Sequence, residues 1–349
     1  IIYLPLLWGL LAWVRKQLSG AAPSVPAVAT LTTSLVTTEP VSLDMTTPEP
    51  MAMSRLAAEE PTTLDTVEPT AFAAAAPVAL AAAAVGGPAP SFPLPGAQLS
   101  ISTNFVNWLT GNYAPNYTMS QFGINGTDVG IVWDNGMVDD PTTAVNEHQL
   151  LIAFGDTFGD PNAPGQQWRS NVLLRTSDMI LTDGLTIPNG TLVTPADGST
   201  YFGGAPLAYT NFAKQIIRDP NLGPAVTIIP TAGISVPTPG TRFGVTQYIN
   251  FMAVQQWGAP GSWTTSYSAI AYSEDNGENW TVAPSTIRLN QWWTGNQNFQ
   301  QVAYVRPGDG FVYTYGTPNG RQGNSYVARV PEQSMLDLTK YQYWNAAAA

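Results

Sequence analysis

From about residue 99 onward, short apolar runs alternate with clusters of Gly, Asn, Asp and Pro. The runs are only a few residues long and lack helical periodicity, which is the pattern of β-strands bounded by turns. The clearest runs are Gly130–Trp133, Leu150–Phe154, Asn171–Arg175, Ala225–Pro230, Tyr248–Val254 and Gly310–Tyr315. This spacing predicts an all-β domain over residues 99–349, built as a sandwich, a barrel or a propeller.

One turn motif narrows the choice among these architectures. Residues Ser273–Trp280 follow the pattern Ser-x-Asp-x-Gly-x-x-Trp, the Asp box that forms a hairpin turn between outer strands of a propeller blade. In such a turn Asp275 caps the backbone, Gly277 supplies a positive φ and Trp280 packs between blades. An ordinary Asp-Gly hairpin turn is the alternative. In both cases Asp275 is expected to be structural rather than catalytic.

Two segments of different composition precede this domain. Residues 1–20 open with an apolar run that ends before Arg15 and Lys16 and is shorter than the roughly 20 residues a membrane-spanning helix needs. We expect the remnant of an export signal or anchor there, with a short interfacial helix as the alternative. Residues 21–98 are rich in Ala, Pro and Thr, which predicts an extended or disordered tether. We expect an exported protein of the cell envelope or extracellular space, with membrane contact only through the first segment if it is retained.

Composition limits the chemistry that the chain can perform. Only 11% of the 349 residues are charged and the net charge is -11, so nucleic acid is not an expected partner. The chain has no cysteine and only one histidine, His148, which leaves almost no material for a thiolate zinc site or a histidine-dependent triad. We expect no metal and no cofactor. The 11 Trp and 14 Tyr residues favour neutral polar ligands such as sugars.

Three aspartates lie at the ends of predicted strands. Asp128 and Asp134 flank the run Gly130–Trp133, and Asp156 follows the run Leu150–Phe154. If these two strands are neighbours, Asp128 and Asp156 face each other, and two facing carboxylates are what glycoside hydrolysis requires. Spacing alone leaves a turn role open for each aspartate, because Asp is common in turns.

Further candidates for binding a sugar follow Asp156 along the chain. Trp168 could stack on a sugar ring, and Arg169 and Asn171 could hold hydroxyl groups or orient a carboxylate. Arg321 lies in a predicted hairpin loop, where it is either a solvated charge or a substrate contact. His148 is expected to be structural.

At these positions the sequence resembles the bacterial endo-D-arabinanases, a family once known only as a domain of unknown function. The stretches that carry the resemblance are Gly126–Gly136, Phe154–Gly159, Trp168–Asn171, Trp257–Trp263, Tyr313–Gly323 and Tyr341–Trp344. They occur in the family's order over most of the predicted domain.

The resemblance implies a five-bladed β-propeller that cleaves within the D-arabinofuranosyl chains of cell-wall arabinogalactan or lipoarabinomannan. It also implies that Asp128 and Asp156 are the catalytic pair. From the residues themselves we expect Asp134, Trp168, Arg169, Asn171 and Arg321 to contribute to substrate binding. The chain departs from the family in a lengthened segment after Gly136. Family members also continue for about one more blade, so we expect a ring that is incomplete at the C-terminus.

Two other functions remain open at this stage. A non-catalytic propeller that binds carbohydrate or another envelope component would use the same aromatic residues without the two carboxylates. A sialidase-like enzyme is suggested by the Asp box but disfavoured, because that chemistry requires a cluster of arginines.

Overall fold

The computed structural model describes residues 98–100, 103–143, 145–190, 192 and 198–345. The predicted apolar segment and nearly all of the predicted tether lie outside these residues, so both stay predictions. Within the described part the one α-helix is α1 (Thr118–Phe122), accompanied by short 3-10 turns, and strands form the remaining regular structure. The predicted all-β class is therefore confirmed. No helix in this part is both long enough and apolar enough to cross a membrane.

The strands follow one another along the chain with turns and loops between them. They are β1 (Gln98–Ser100), β2 (Thr103–Asn104), β3 (Gly126–Thr127), β4 (Gly130–Asp134), β5 (Leu150–Phe154), β6 (Thr157–Phe158), β7 (Val172–Thr176), β8 (Leu207–Tyr209), β9 (Phe212–Ala213), β10 (Thr227–Pro237), β11 (Val245–Trp257), β12 (Trp263–Ser273), β13 (Thr281–Leu289), β14 (Gln301–Val305), β15 (Phe311–Thr317), β16 (Tyr326–Pro331) and β17 (Gln342–Tyr343). Every predicted run contains or overlaps one of these strands.

Three antiparallel sheets organise the described residues. Their strand orders are β4-β5-β7, β10-β11-β12-β13 and β14-β15-β16-β17. Within each sheet the strands therefore lie side by side in the order in which they occur in the chain. Strand β10, the first of the second sheet, contacts β4 and β14, the first strands of the other two. No closed sheet is identified among the described strands, and the five-bladed ring stays a prediction.

Apolar side chains between the sheets form the core. Trp133, Leu151 and Leu173 of the first sheet pack with Phe251 and Tyr267 of the second in one buried cluster. A second cluster joins the second and third sheets and includes Ile234, Tyr248, Val312 and Val330. Because each sheet buries side chains against a neighbour, the three sheets hold one another in position.

The Asp-box turn has the structural role that the sequence predicts. The carboxylate of Asp275 accepts hydrogen bonds from the Ser273 hydroxyl at 2.8 Å and from the Asn279 backbone N–H at 2.8 Å. Gly277 has φ 77°, the left-handed conformation that favours glycine. Trp280 packs edge to face on Trp133, with ring centroids 6.5 Å apart, and so joins the first two sheets. Asp275 therefore stabilises a turn.

Candidate active site

Asp128 and Asp156 lie side by side at one edge of the first sheet. Strands β4 and β5 are antiparallel, with Gly130 opposite Phe154, so the residues before β4 meet the residues after β5. The Asp128 N–H donates to the Asp156 carbonyl oxygen at 2.8 Å, and the Gly155 N–H donates to the Asp128 carbonyl oxygen at 2.8 Å. The predicted pairing of the two strands is confirmed, and it brings the two aspartates together.

The backbone between Asp128 and β4 is strained. Val129 has φ 46°, in the left-handed region that β-branched residues rarely adopt. The Gly155 N–H also donates to the Val129 carbonyl oxygen at 3.1 Å, and this bond helps to hold the turn. Non-glycine residues in this region cluster at functional sites, where the surrounding structure keeps them in place.

Electrostatics distinguish Asp128 from an ordinary surface aspartate. Burial, together with the negative charge of Asp156, raises the pKa of Asp128 from 3.8 to about 6. The Val129 backbone N–H and the positive charge of Arg321 act in the opposite direction and lower the pKa. A carboxyl group with a raised pKa beside a second carboxylate is the arrangement that separates an acid from its ionised partner.

Asp156 is buried, with 9% of its surface exposed, and is held by two side chains. The Trp168 Nε1–H donates to Oδ1 of Asp156 at 3.1 Å, and the Thr227 hydroxyl donates to the same oxygen at 2.6 Å. A bridge between Thr157 and Arg169 brings Trp168 into position, and Trp168 remains 39% exposed. Asp156 therefore has a fixed carboxylate beside a partly exposed indole ring.

Thr227 also belongs to the site, although no local signal in the sequence identifies it. It is the first residue of β10, in the second sheet, and is 3% exposed. Its hydroxyl reaches a carboxylate 71 residues earlier in the chain. Only the packing of the two sheets against each other reveals this contact.

Arg321 extends the site to the third sheet. It lies in the loop between β15 and β16. The backbone N–H of Arg321 donates to the Gly261 carbonyl oxygen at 2.8 Å and so helps to hold this loop. The Gln301 side chain also donates to the Pro318 carbonyl oxygen at 2.7 Å. The positive charge of Arg321 lowers the pKa of Asp128, so the guanidinium group acts on that carboxyl group. The site thus draws side chains from all three sheets.

The structure does not bring Asp134, a substrate-binding candidate from the sequence, into this arrangement. It pairs with Leu150 at the opposite end of β4 from Asp128. Its Oδ2 lies 2.7 Å from Nε2 of His148, and its Oδ1 accepts the Gly136 N–H at 2.7 Å. Asp134 and His148 therefore form an exposed pair at the far edge of the sheet.

Arg169 and Asn171, two further substrate-binding candidates from the sequence, face the interior. Arg169 is 5% exposed and donates to backbone carbonyl oxygens of Phe122, Gly123 and Ala213. Burial lowers the pKa of Arg169 to about 10. Asn171 is fully buried and donates to two carbonyl oxygens. Both side chains brace the framework beside Trp168 and are not available to a ligand.

Three comparisons with known proteins bear on this geometry. The family described as "Domain of unknown function (DUF4185)" matches residues 113–348. No curated protein matches the chain. A crystal structure of a "putative hydrolase" from Bacteroides ovatus ATCC 8483 is similar at 12% identity and a TM-score of 0.35, over 72% of this chain. The match spans 64% of that protein, and a likeness this distant carries no argument about function. The family match covers the three sheets and both aspartates, and the chain belongs to the DUF4185 family.

Proposed function

We propose that the protein is an endo-acting glycoside hydrolase that cleaves D-arabinofuranosyl linkages in arabinogalactan or lipoarabinomannan of the cell envelope. The observation that carries the proposal is the pairing of Asp128, whose pKa is raised to about 6, with the buried carboxylate of Asp156. Glycoside hydrolases use two such groups, one to protonate the leaving oxygen and one to assist attack at the anomeric carbon. Arabinan is proposed as the substrate because the motifs around both residues resemble those of the bacterial endo-D-arabinanases.

The environments of the two carboxyl groups support different roles. Asp128 holds its proton to a higher pH than an ordinary aspartate and is the proposed general acid. As the glycosidic C–O bond breaks, its proton passes to the departing oxygen. Asp156 accepts two hydrogen bonds on one oxygen, which hold its carboxylate in place, and in this proposal it acts as the base or the nucleophile. The partly exposed ring of Trp168 offers a face for the sugar beside the bond that is cut.

The three sheets are, in this proposal, successive blades of a propeller. The contacts of β10 with β4 and β14 support it, because inner strands of neighbouring blades adjoin each other around a central axis. Thr227 of the second sheet contacts Asp156, and the charge of Arg321, between strands of the third sheet, acts on Asp128, as expected for side chains that face such an axis. We further propose that the protein is exported to the cell envelope or beyond, where arabinan would be available.

The test is hydrolysis of purified D-arabinan, followed by the appearance of new reducing ends. Asp128→Asn and Asp156→Asn are each expected to lower kcat by about 10³-fold or more, because each removes a group that acts in the transition state. Asp134→Asn is the matched control, since it changes the same strand at its other end and is expected to retain activity.

Two outcomes would contradict the proposal. Unchanged turnover by either site variant would remove the mechanism. No turnover by the unmodified protein, with arabinan binding that survives both substitutions but is lost in Trp168→Ala, would instead favour a non-catalytic carbohydrate-binding protein.

A further inference from the structure

Two adjacent tryptophans outside the carboxylate site are among the most exposed large side chains of the described residues. Trp292 and Trp293 are 77% and 65% exposed and lie in a 3-10 turn between β13 and β14. Their rings meet edge to face, with centroids 5.8 Å apart and an interplanar angle of 89°. Exposing two indole rings to water is unfavourable, and neither the core nor the carboxylate site uses them.

The tryptophan pair lies at the same edge of the sheets as the carboxylates. Strand β10 begins there with Thr227, which pairs with Val254 near the end of β11, and β12 begins at this edge with Trp263. Strand β13 runs back toward it and ends at Leu289, only three residues before Trp292.

A hydrogen bond ties the turn to the loop that carries Arg321. The Asn290 side chain donates to Oδ1 of Asn319 at 2.9 Å, and Asn319 precedes Arg321 by two residues. Arg321 in turn acts on Asp128. The segment that leads into the tryptophan pair is therefore hydrogen-bonded to the loop that carries Arg321.

The surroundings of the pair indicate the kind of ligand it would bind. Residues 289–301 contain no charged side chain and are dominated by Asn and Gln. Amide groups both donate to and accept from hydroxyl groups, and indole faces stack on the apolar faces of sugar rings. An ionic ligand would find no charged partner in this segment. The amides of Asn290, Gln300 and Gln301 hydrogen-bond within the protein. A neutral polysaccharide fits the two exposed rings together with the half-buried amides of Gln291, Gln297 and Asn298.

We propose that Trp292 and Trp293 form a second sugar-binding site, which holds a neutral polysaccharide chain at a distance from the bond that is cut. This inference rests on the proposed function for its link to catalysis, because an endo-acting hydrolase gains from holding several sugar units at once. The pair adds affinity for the polymer without touching the reacting atoms.

The kinetic test compares a polymeric and a short substrate. In the double variant Trp292→Ala/Trp293→Ala, KM for D-arabinan is expected to rise about tenfold with kcat unchanged. KM for a short D-arabinofuranosyl oligosaccharide that reaches only the carboxylate site is expected to stay the same. Trp292→Phe/Trp293→Phe keeps two aromatic faces and is expected to restore most of the affinity.

A matched control is available at the opposite edge. Ile180 and Leu181 are also adjacent and are 64% and 59% exposed. They follow β7, whose last residue pairs with Leu150 at the far end of the first sheet. Ile180→Ala/Leu181→Ala removes a similar exposed apolar pair and is expected to leave KM unchanged. An unaltered KM for the polymer in the tryptophan variant, or an equal rise for polymer and oligosaccharide, would overturn the proposal.

A binding experiment separates this inference from the proposed function. Electrophoresis of the unmodified protein and both double variants through gels containing D-arabinan, xylan or polygalacturonate measures retention without turnover. Retention by D-arabinan or xylan that is lost only in the tryptophan variant supports the second site. If xylan alone retains the protein and no arabinan is hydrolysed, the second site stands and the arabinanase proposal fails. If neither neutral polymer retains the protein, or only polygalacturonate does, the second site is refuted.

Discussion

Asp156 and Asp275 both follow a strand of the core, yet their hydrogen-bond partners differ in kind. Asp275 accepts hydrogen bonds from residues at most four positions away, and these bonds complete a turn. Asp156 accepts them from Trp168 and from Thr227, which is 71 residues away in another sheet. A carboxylate satisfied by its own turn has a local structural task. One that is fixed by distant residues beside a second carboxyl group has the arrangement that the proposed hydrolysis requires.

The largest expected difference between the carboxylate pair and Asp275 is in the pH dependence of turnover. If Asp128 is the acid, its protonated form is required, and raising the pH through its pKa of about 6 removes that form. We expect kcat/KM for D-arabinan to fall about tenfold for each pH unit above 6. A profile of kcat/KM from pH 4 to 9 measures this, and Asp275→Asn is expected to leave the profile in place.

Arg321 tests the sign of this assignment. Its positive charge lowers the pKa of Asp128, so Arg321→Gln is expected to raise that pKa and move the alkaline limb to higher pH. A limb that moves to lower pH would contradict the assignment of Asp128 as the acid, whatever happens to the overall rate.

Loss of the Thr227 hydroxyl is expected to have the next largest effect. Thr227→Val keeps the side chain's shape but removes a hydrogen bond to a buried carboxylate, which typically contributes about 1.5–3 kcal/mol. We expect kcat to fall about tenfold, while Thr227→Ser keeps the hydroxyl and most of the activity. Equal kcat values for the Val and Ser variants would show that Asp156 does not depend on this contact.

The smallest expected effect concerns the turn. Asp275→Ala removes the acceptor for the Ser273 hydroxyl and the Asn279 N–H and is expected to destabilise the fold by about 1 kcal/mol. For a domain of this size that corresponds to a decrease in Tm of about 2–4 °C. Thermal unfolding measures the loss, with kcat at low temperature expected to be unchanged. A fall in kcat without a fall in Tm would show that Asp275, like Asp156, serves the site rather than the turn.

Local pattern was sufficient to predict the strands, and it placed Asp128 beside Asp156 on the condition that β4 and β5 are neighbours, which they are. Alternating apolar runs define strands, and two antiparallel neighbours bring their adjoining ends together. The Asp box likewise contains both hydrogen-bond partners of Asp275, Ser273 and Asn279. In each case the determining interactions lie close together in the sequence or follow from strand pairing alone.

The roles of Arg169, Asn171 and Thr227 depended on contacts between segments far apart in the chain. The sequence offers Arg169 as a substrate contact, and in the fold carbonyl oxygens of α1 and β9 surround it. Asp134 lies away from the aspartate pair for a simpler reason. It shares a strand with Asp128, but β4 carries the two to opposite edges of the sheet.

The assembly of the site from three sheets has a consequence for folding. No single sheet contains Asp128, Thr227 and Arg321, so a chain in which one sheet has detached retains strands but lacks a complete site. Such partial opening is a normal fluctuation of native proteins and requires less free energy than complete unfolding. Enzymatic activity would therefore report the docking of the sheets, and mild denaturant would abolish it before the β-sheet signal in circular dichroism declines.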